Sequence, residues 1–341
     1  GGAFTLDLGG TWLTQHPASP VPLDASATGL AGVVPLDANY NPRGSHLNTR
    51  RLDAVFAYAR EVGPAAEWRT SLGVARSDQG LLHGFLVSLE EPAPGAPNAH
   101  GFRQSIGQTD VFFDTHAVLR PARSVDLVLG VDHLHGDGNT HGGDFDYGVP
   151  LDASSAPGDA QLPSQAAIAI RDRRDFSGLY GQALWRPLDA WTVNAGARLN
   201  RTRETRSVST LDLNSLEFDA GSGAHTTTRL TGSVGASYAV WKEGPDGVNV
   251  YAALGTQFKP AAVDFGLDST VEILAPETAT SCELGAKVRA RGGGVEGTVS
   301  LFQMDFDNMV VPKTAPDGTP LNAFTNAGSQ RFRGVDAEAA M

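Results

Sequence analysis

Hydrophobic and polar residues alternate with a period of two along most of this chain. In residues 190–202, Trp191, Val193 and Leu199 share one face, whereas Asn194 and Arg198 lie on the other. This alternation is typical of β-strands with one apolar and one polar face. It predicts about twelve strands, each near the ~9–11 residues that a tilted membrane strand needs. The predicted strands are residues 3–14, 48–60, 67–77, 109–119, 123–133, 174–185, 190–202, 228–241, 247–258, 279–290, 294–306 and 329–340.

The connections between these strands alternate strictly between long and short. The long connections are residues 15–47, 78–108, 134–173, 203–227, 259–278 and 307–328, and the short ones are 61–66, 120–122, 186–189, 242–246 and 291–293. In an antiparallel meander, successive connections lie at opposite ends, so all the long loops share one end. Outer-membrane barrels have this asymmetry, with long extracellular loops and short periplasmic turns. The predicted fold class is all-β, an antiparallel up-and-down transmembrane β-barrel.

Tryptophan placement agrees with this orientation. Trp68, Trp185, Trp191 and Trp241 all lie close to predicted short turns, and Trp12 would mark the opposite rim. Indole side chains prefer the membrane–water interface, so these positions predict an aromatic girdle on the periplasmic side.

A soluble β-sandwich or a solenoid would also alternate, with its apolar face turned inward. A sandwich rarely needs six long loops at one end, and its core would need larger residues than the Gly, Ala, Ser and Thr of the second faces. The chain has no internal repeat of fixed period, which disfavours a solenoid.

Composition narrows the functional classes. Of the 341 residues, 41% are hydrophobic and 19% are charged, and no apolar run is long enough for a transmembrane helix. The single cysteine, Cys282, excludes an intrachain disulfide and a cysteine-rich zinc site. The net charge of −12 argues against nucleic-acid binding. It also argues against a Lys/Arg surface that binds anionic lipid.

Several segments of the second half resemble motifs of the TonB-dependent outer-membrane receptors. They are Gly178-Leu179-Tyr180-Gly181-Gln182, residues 191–198, Phe258-Lys259-Pro260, Leu274-Ala275-Pro276-Glu277, Glu283-Leu284-Gly285, residues 301–308 and residues 326–338. Cys282 stands where this family usually has an aromatic residue. The resemblance is clear over residues 175–340, whereas residues 1–170 match only in their strand-and-loop style.

The resemblance implies a siderophore-receptor-like protein. Such receptors are 22-stranded barrels with a plugged lumen, so residues 1–341 would be a fragment of the barrel domain with about 12 of those strands. The plug domain and the C-terminal strands would lie outside this fragment. The implied function is TonB-dependent uptake of a ferric siderophore or another iron chelate across the bacterial outer membrane. The implied partners are the TonB–ExbB–ExbD complex, acting through the missing N-terminal region, the small-molecule nutrient and outer-membrane lipid. No cofactor and no nucleic acid are implied.

Residues 132–147 are unusually rich in His, Asp and Gly, and we predict them to form a loop at the top of a hairpin. Imidazole and carboxylate groups bind divalent metals, although the spacing here matches no complete metal motif. A solvated polar loop, a substrate contact and a metal site all remain open. The candidate substrate-binding residues of this loop are His133, His135, Asp137, His141, Asp144 and Asp146.

Two arginines are predicted to face the lumen together with Asp126 and Asp132. Arg198 and Arg229 could each bind a carboxylate-bearing chelate through a bidentate guanidinium. The alternative is that they hydrogen-bond the plug.

No catalytic motif is present, so the sequence predicts no enzyme. The alternative to active transport is a passive outer-membrane porin or channel. An outer-membrane enzyme or adhesin would need a functional cluster at the extracellular rim, and only residues 132–146 could supply one.

Overall fold

A computed structural model describes residues 1–20, 22–23, 29–93, 96–260, 265–267, 269–314 and 320–341. Within them, twelve strands form one antiparallel sheet in which each strand pairs with its neighbours in the sequence. The strands are β1 (Gly2–Gln15), β2 (His46–Gly63), β3 (Ala66–Leu86), β4 (Ala99–Ala122), β5 (Val125–Tyr147), β6 (Ala166–Leu188), β7 (Trp191–Asp212), β8 (Phe218–Glu243), β9 (Asp246–Lys259), β10 (Glu277–Ala290), β11 (Val295–Thr314) and β12 (Pro320–Ala340). The predicted all-β, up-and-down architecture is confirmed. No helix in these residues is long and apolar enough to cross a membrane.

Cross-strand register assigns the paired residues to two faces, because directly opposed residues of an antiparallel sheet share a face. One row runs across four strands: Val131 pairs with Leu179, Leu179 with Leu199, and Leu199 with Leu230. These side chains are between 43% and 71% exposed, and we call their face the outer face. The adjacent Asp132 is buried on the opposite, inner face. The alternation predicted from the sequence is therefore present.

An apolar band lies on the outer face between this row and the short turns. At its turn end it carries four exposed tryptophans, Trp68, Trp185, Trp191 and Trp241. Trp12 lies at the other end of β1, opposite Arg50. A band of exposed apolar side chains with aromatic residues at its edges matches the lipid-facing surface of an outer-membrane barrel.

The predicted short connections are confirmed, and they all lie at one end of the sheet. They comprise residues 64–65, 123–124, 189–190, 244–245 and 291–294. Gly244 and Gly292 adopt positive φ angles of 56° and 69°, which glycine tolerates without steric cost.

The strands extend further from the short turns than predicted, so several long loops were overestimated. β7 continues to Asp212 and β8 begins at Phe218, which leaves only residues 213–217 between them. Residues 315–319 of the predicted loop 307–328 lie outside the described residues. The hydrophobic alternation ends where the outer face leaves the apolar band, since polar residues such as His133, Asp137 and Arg173 follow on that face. The backbone hydrogen bonds nevertheless continue the ladder.

Two of the remaining long loops form a small core on the outer face, at the loop end of β3 to β5. Tyr40, Phe145 and Val149 are fully buried there. The Tyr147 hydroxyl donates to the carbonyl of Tyr40 at 2.6 Å, and the Tyr40 hydroxyl donates to the carbonyl of Leu151 at 2.7 Å. These bonds tie residues 31–40 and 149–162 to the sheet.

Candidate functional site

The prediction that residues 132–146 form a loop is wrong, because the whole segment belongs to β5 and pairs with β4 and β6. Its glycines have another role. A Cβ atom at Gly138 would collide with the ring of Phe265, and one at Gly142 would lie 2.8 Å from Leu267. These glycines make room for a chain segment that packs on the inner face of the strand.

The six candidate residues of this segment do not converge on one site. His133, His135, Asp137 and His141 share the outer face with Val131, whereas Asp144 and Asp146 lie on the inner face. Among the residues that the structure describes, no group of three or more His, Cys, Asp or Glu side chains could hold a metal ion.

The two outer histidines nearest the apolar band have polar partners on β6. His135 Nδ1 lies 2.8 Å from Asp175 Oδ1, and His133 Nδ1 lies 2.9 Å from Ser177 Oγ. These contacts connect β5 to β6. They give the Nδ1 atoms of both histidines a partner within the protein, so no ligand is needed to explain their positions.

Asp137 is held by two arginines of β6. Arg173 Nε and Arg171 Nη2 donate to the same oxygen, Asp137 Oδ2, at 2.7 and 2.9 Å. Burial raises the pKa of the Asp137 carboxyl, but the hydrogen bonds from both arginines outweigh this effect and lower that pKa overall. Asp137 is therefore ionised at neutral pH and engaged by the protein itself.

The inner candidates lie in a different environment, at the loop end of β3, β4 and β5. Asp146 Oδ1 is 2.8 Å from His100 Nδ1, and Asp146 Oδ2 accepts a hydrogen bond from Gln165 Nε2 at 2.8 Å. Asp144 pairs across the strands with Phe102. The Asp144 Oδ1 atom is buried and has no hydrogen-bond partner among the described residues.

Aromatic rings surround these carboxylates. The ring centroids of His83 and Phe102 are 5.7 Å apart, and those of Phe85 and His100 are 6.0 Å apart. Burial lowers the pKa of His83, and the hydrogen bond that opposes this shift has the smaller effect. We call this set the inner patch: His83, Phe85, His100, Phe102, Asp144 and Asp146. It combines flat apolar surfaces with carboxylate oxygens and ring nitrogens.

Arg198 faces inward as predicted, and it is already occupied. Its Nη2 atom donates to Asp132 Oδ1 at 2.7 Å, and its Nη1 atom binds the other carboxylate oxygen. The guanidinium also lies 5.5 Å from the ring centroid of Phe176 and 5.6 Å from that of Tyr180. This geometry is a bidentate ion pair between aromatic rings. Arg198 therefore stabilises the sheet by linking β7 to Asp132 of β5.

Arg229 also lies on the inner face, where it pairs with Asn200 across the strands. It is exposed and makes no hydrogen bond or ion pair with the described part of the chain. Unlike Arg198, it is available to a ligand or to another domain.

A segment of the β9–β10 connection crosses the inner face of β4 to β8, and we call its described residues, 265–267 and 269–271, the inner strap. Gln104 Nε2 donates to the carbonyl of Phe265 at 2.5 Å. Arg206 donates to the carbonyl of Thr270 at 2.8 Å and to Ser269 Oγ at 2.7 Å. The inner strap therefore covers the part of the inner face that lies between the level of the apolar band and the loops.

Buried charged groups lie beneath the inner strap. Arg206 Nη1 is 3.6 Å from Asp172 Oδ2, and Arg174 Nε donates to Glu204 Oε2 at 2.7 Å. Asp172 is only 2% exposed and Glu204 only 7%. Burial and the neighbouring Glu204 raise the pKa of the Asp172 carboxyl to about 7.

Comparison with known proteins assigns this chain to a family. The model of a family described as TonB dependent receptor-like, beta-barrel matches residues 2–341. The chain belongs to this family. The resemblance that was evident in residues 175–340 thus extends over the first half, where the motifs are weaker. A search of curated proteins finds no match.

Solved structures show that the TonB-dependent receptor barrel fold is shared. The ferric-catecholate import receptor Fiu from E. coli K12 is similar over 99% of this chain, with 16% identity and a TM-score of 0.74. The ferric yersiniabactin uptake receptor FyuA from Yersinia pestis has 15% identity and a TM-score of 0.67, again over 99% of the chain. The siderophore receptor PiuA from Acinetobacter baumannii has 12% identity and a TM-score of 0.71 over 99% of the chain.

This chain spans only about half the length of those proteins. It covers 53% of the Fiu chain, 46% of FyuA and 51% of PiuA. At these identities, the likeness establishes the fold of the receptor barrel.

Sequence reasoning missed four members of the inner patch, namely His83, Phe85, His100 and Phe102. A signal was available, because His83 and Phe85, like His100 and Phe102, are two residues apart and so share a face of a strand. Both pairs fell in the predicted loop 78–108. The inner strap had no comparable local signal, since its contacts join residues far apart in sequence.

Proposed function

We propose that this chain is part of the barrel wall of an outer-membrane receptor for TonB-dependent uptake of a ferric siderophore or another iron chelate. The observation that carries the proposal is the match of the receptor-barrel family model to residues 2–341. The similar structures are a ferric-catecholate import receptor, a ferric yersiniabactin uptake receptor and a siderophore receptor. In this proposal the remaining strands and the plug belong to the rest of a longer receptor.

The same proposal implies that the TonB system supplies the energy for uptake. The TonB–ExbB–ExbD complex would act on the plug, and the wall described here would hold the plug through its polar inner face. Arg229 supports this arrangement, because it is an exposed inward arginine that could hydrogen-bond a domain inside the barrel.

Within the wall, we propose that the inner patch contacts the nutrient and that the outer candidates His133, His135, Asp137 and His141 do not. Asp144 and Asp146 lie among aromatic rings on the face that borders the lumen. Such rings can pack against a flat chelate, while the carboxylates and His100 can hydrogen-bond its polar edge.

Uptake measurements test the transport proposal. In an iron-limited strain that lacks its own siderophore receptors, the full-length receptor should restore accumulation of radiolabelled iron from a panel of ferric siderophores. Removal of TonB should abolish that accumulation. Uptake that persists without TonB would instead indicate a passive porin.

Variants of the same receptor test the patch. Asp146→Ala and His100→Ala should each weaken binding of the transported chelate about tenfold, or about 1.4 kcal/mol. His135→Ala is the matched control, because it removes the same type of carboxylate-bound imidazole from the outer face. Equal losses from the inner and outer variants would contradict the assignment.

A further inference from the structure

Four arginines form a cluster on the outer face of β6 and β7, and we call Arg171, Arg173, Arg201 and Arg203 the outer arginine patch. All four are exposed. Arg203 pairs with Asp175 and Arg173 pairs with Thr205, so Arg203 and Arg173 are diagonal neighbours. Diagonal neighbours in a sheet are about 7–8 Å apart, within reach of long side chains.

The patch begins directly beyond the apolar band. Arg201 is two residues beyond Leu199, which belongs to the last apolar row. Two residues of strand span about 7 Å, and less along the membrane normal because the strands of such barrels are tilted. Arg201 is therefore at the edge of the apolar band, where the headgroups of a surrounding membrane would begin.

The protein leaves much of this positive charge without a partner. Arg171 and Arg173 share the carboxylate of Asp137. Arg201 and Arg203 make no hydrogen bond or ion pair with the described residues. On β8, the residues that pair with Arg201 and Arg203 are the uncharged Thr228 and Thr226. On β6, Arg203 lies opposite Asp175, whose carboxylate contacts His135 instead.

A shallow depression adjoins the patch and adds hydroxyl donors to it. It has a volume of about 440 Å³. Its outer-face lining comprises Arg171, Arg173, Thr205, Ser207, Ser222 and Ala224. The small hydroxyl side chains of Thr205 and Ser207 lie opposite Arg173 and Arg171 and leave room beside them for the tetrahedral oxygens of a phosphate. Arginine binds such oxygens through two parallel hydrogen bonds.

We propose that the outer arginine patch binds the phosphate groups of an anionic lipid in the leaflet that surrounds the loop end of the barrel. Three observations favour a lipid: the patch faces away from the lumen, it adjoins the apolar band, and it carries unpaired positive charge. The proposal depends on the membrane placement of the wall and not on which nutrient is transported. It also revises the expectation from the net charge, which predicted no basic lipid-binding surface.

Binding of a phosphorylated lipid to the purified full-length receptor tests this inference. The receptor in neutral detergent is titrated with a fluorescent glucosamine disaccharide lipid that carries two phosphates, and with the same lipid after removal of both phosphates. The bisphosphorylated form should bind at least tenfold more tightly, and its affinity should fall as salt is raised.

Charge-neutral variants locate the site. The double variant Arg201→Gln/Arg203→Gln should weaken binding of the bisphosphorylated lipid about tenfold or more. Arg229→Gln is the control, because it removes an exposed arginine from the inner face. Heat-modifiable migration in gels confirms that each variant is folded.

The outcomes are distinct. Unchanged affinity of the double variant, an equal loss in Arg229→Gln, or equal binding of the lipid without phosphates would each overturn the proposal. None of these results bears on iron uptake, so failure here leaves the transport proposal intact.

Discussion

The inner and outer faces of β5 to β7 differ in charge although they belong to the same strands. Beyond the apolar band, the inner face carries Asp144, Asp146 and a buried cluster in which Arg174 and Arg206 balance Glu204 and Asp172. On the outer face, the four arginines of the outer arginine patch outnumber the carboxylates of Asp137 and Asp175. The net charge of −12 is a sum over the whole chain and conceals the difference between the two faces. In a sheet with two environments, charge has to be counted by face, because successive residues point to opposite sides.

The largest expected effect on the free energy of unfolding comes from removing an arginine that is ion-paired on the inner face. Removing an unpaired arginine from the outer face should have little effect. Arg198→Ala removes the partner of Asp132, whose side chain is only 7% exposed. An unpaired buried carboxylate should lower the free energy of unfolding by about 3–5 kcal/mol. Arg201→Ala should change it by less than about 0.5 kcal/mol. Urea unfolding of the receptor in lipid vesicles measures both, and equal effects would remove the distinction between the faces.

A somewhat smaller effect is expected within the apolar band. Val234 lies on the outer face, opposite Ala195 and Leu254, and is 48% exposed. Val234→Arg places a charge in lipid and should cost about 2–4 kcal/mol of unfolding free energy.

The adjacent Ser233 provides the control for this substitution, because it lies on the inner face. Ser233→Arg should cost much less in the same vesicles. If Ser233→Arg is the more damaging of the two, the faces have been assigned the wrong way round.

The smallest effect concerns the inner strap and pH. The pKa of Asp172 is raised to about 7, above the ordinary value of 3.8. A raised carboxyl pKa means that the folded state binds the proton more tightly, so its stabilisation is complete below pH ~4 and is lost as pH rises through ~7. Protection of residues 265–267 and 269–271 from hydrogen exchange, corrected for intrinsic rates, should therefore decrease over that range.

Asp172→Asn should abolish this dependence, because an amide does not titrate. Persistence of the full pH dependence in the variant would show that another group controls the strap.

Much of the fold was accessible from the sequence, because lipid on one side and polar groups on the other impose a strict period of two. The twelve strands and the tryptophan-marked turns follow from that constraint. The loop-end parts of the strands were missed, since polar residues such as His133, Asp137 and Arg173 stand on the outer face there and the apolar–polar alternation is lost.

The candidate site was harder to predict. Gly138 and Gly142 suggested a loop, yet they lie in a strand and accommodate Phe265 and Leu267. That contact joins residues more than a hundred positions apart, so local patterns cannot reveal it. Arg198 was correctly placed on the inner face, but only the structure shows that Asp132 occupies it.

Accessibility to lipid tests the assignment of the two faces most directly. Single cysteines replace Leu230 or Arg229 in full-length receptor that carries Cys282→Ser, and each is labelled with a fluorophore in vesicles containing brominated acyl chains. Leu230 lies on the outer face and the adjacent Arg229 on the inner face. We expect strong quenching at position 230 and little at position 229. Equal quenching at both positions, or the reverse order, would contradict the two-faced wall on which the proposed function and the outer arginine patch depend.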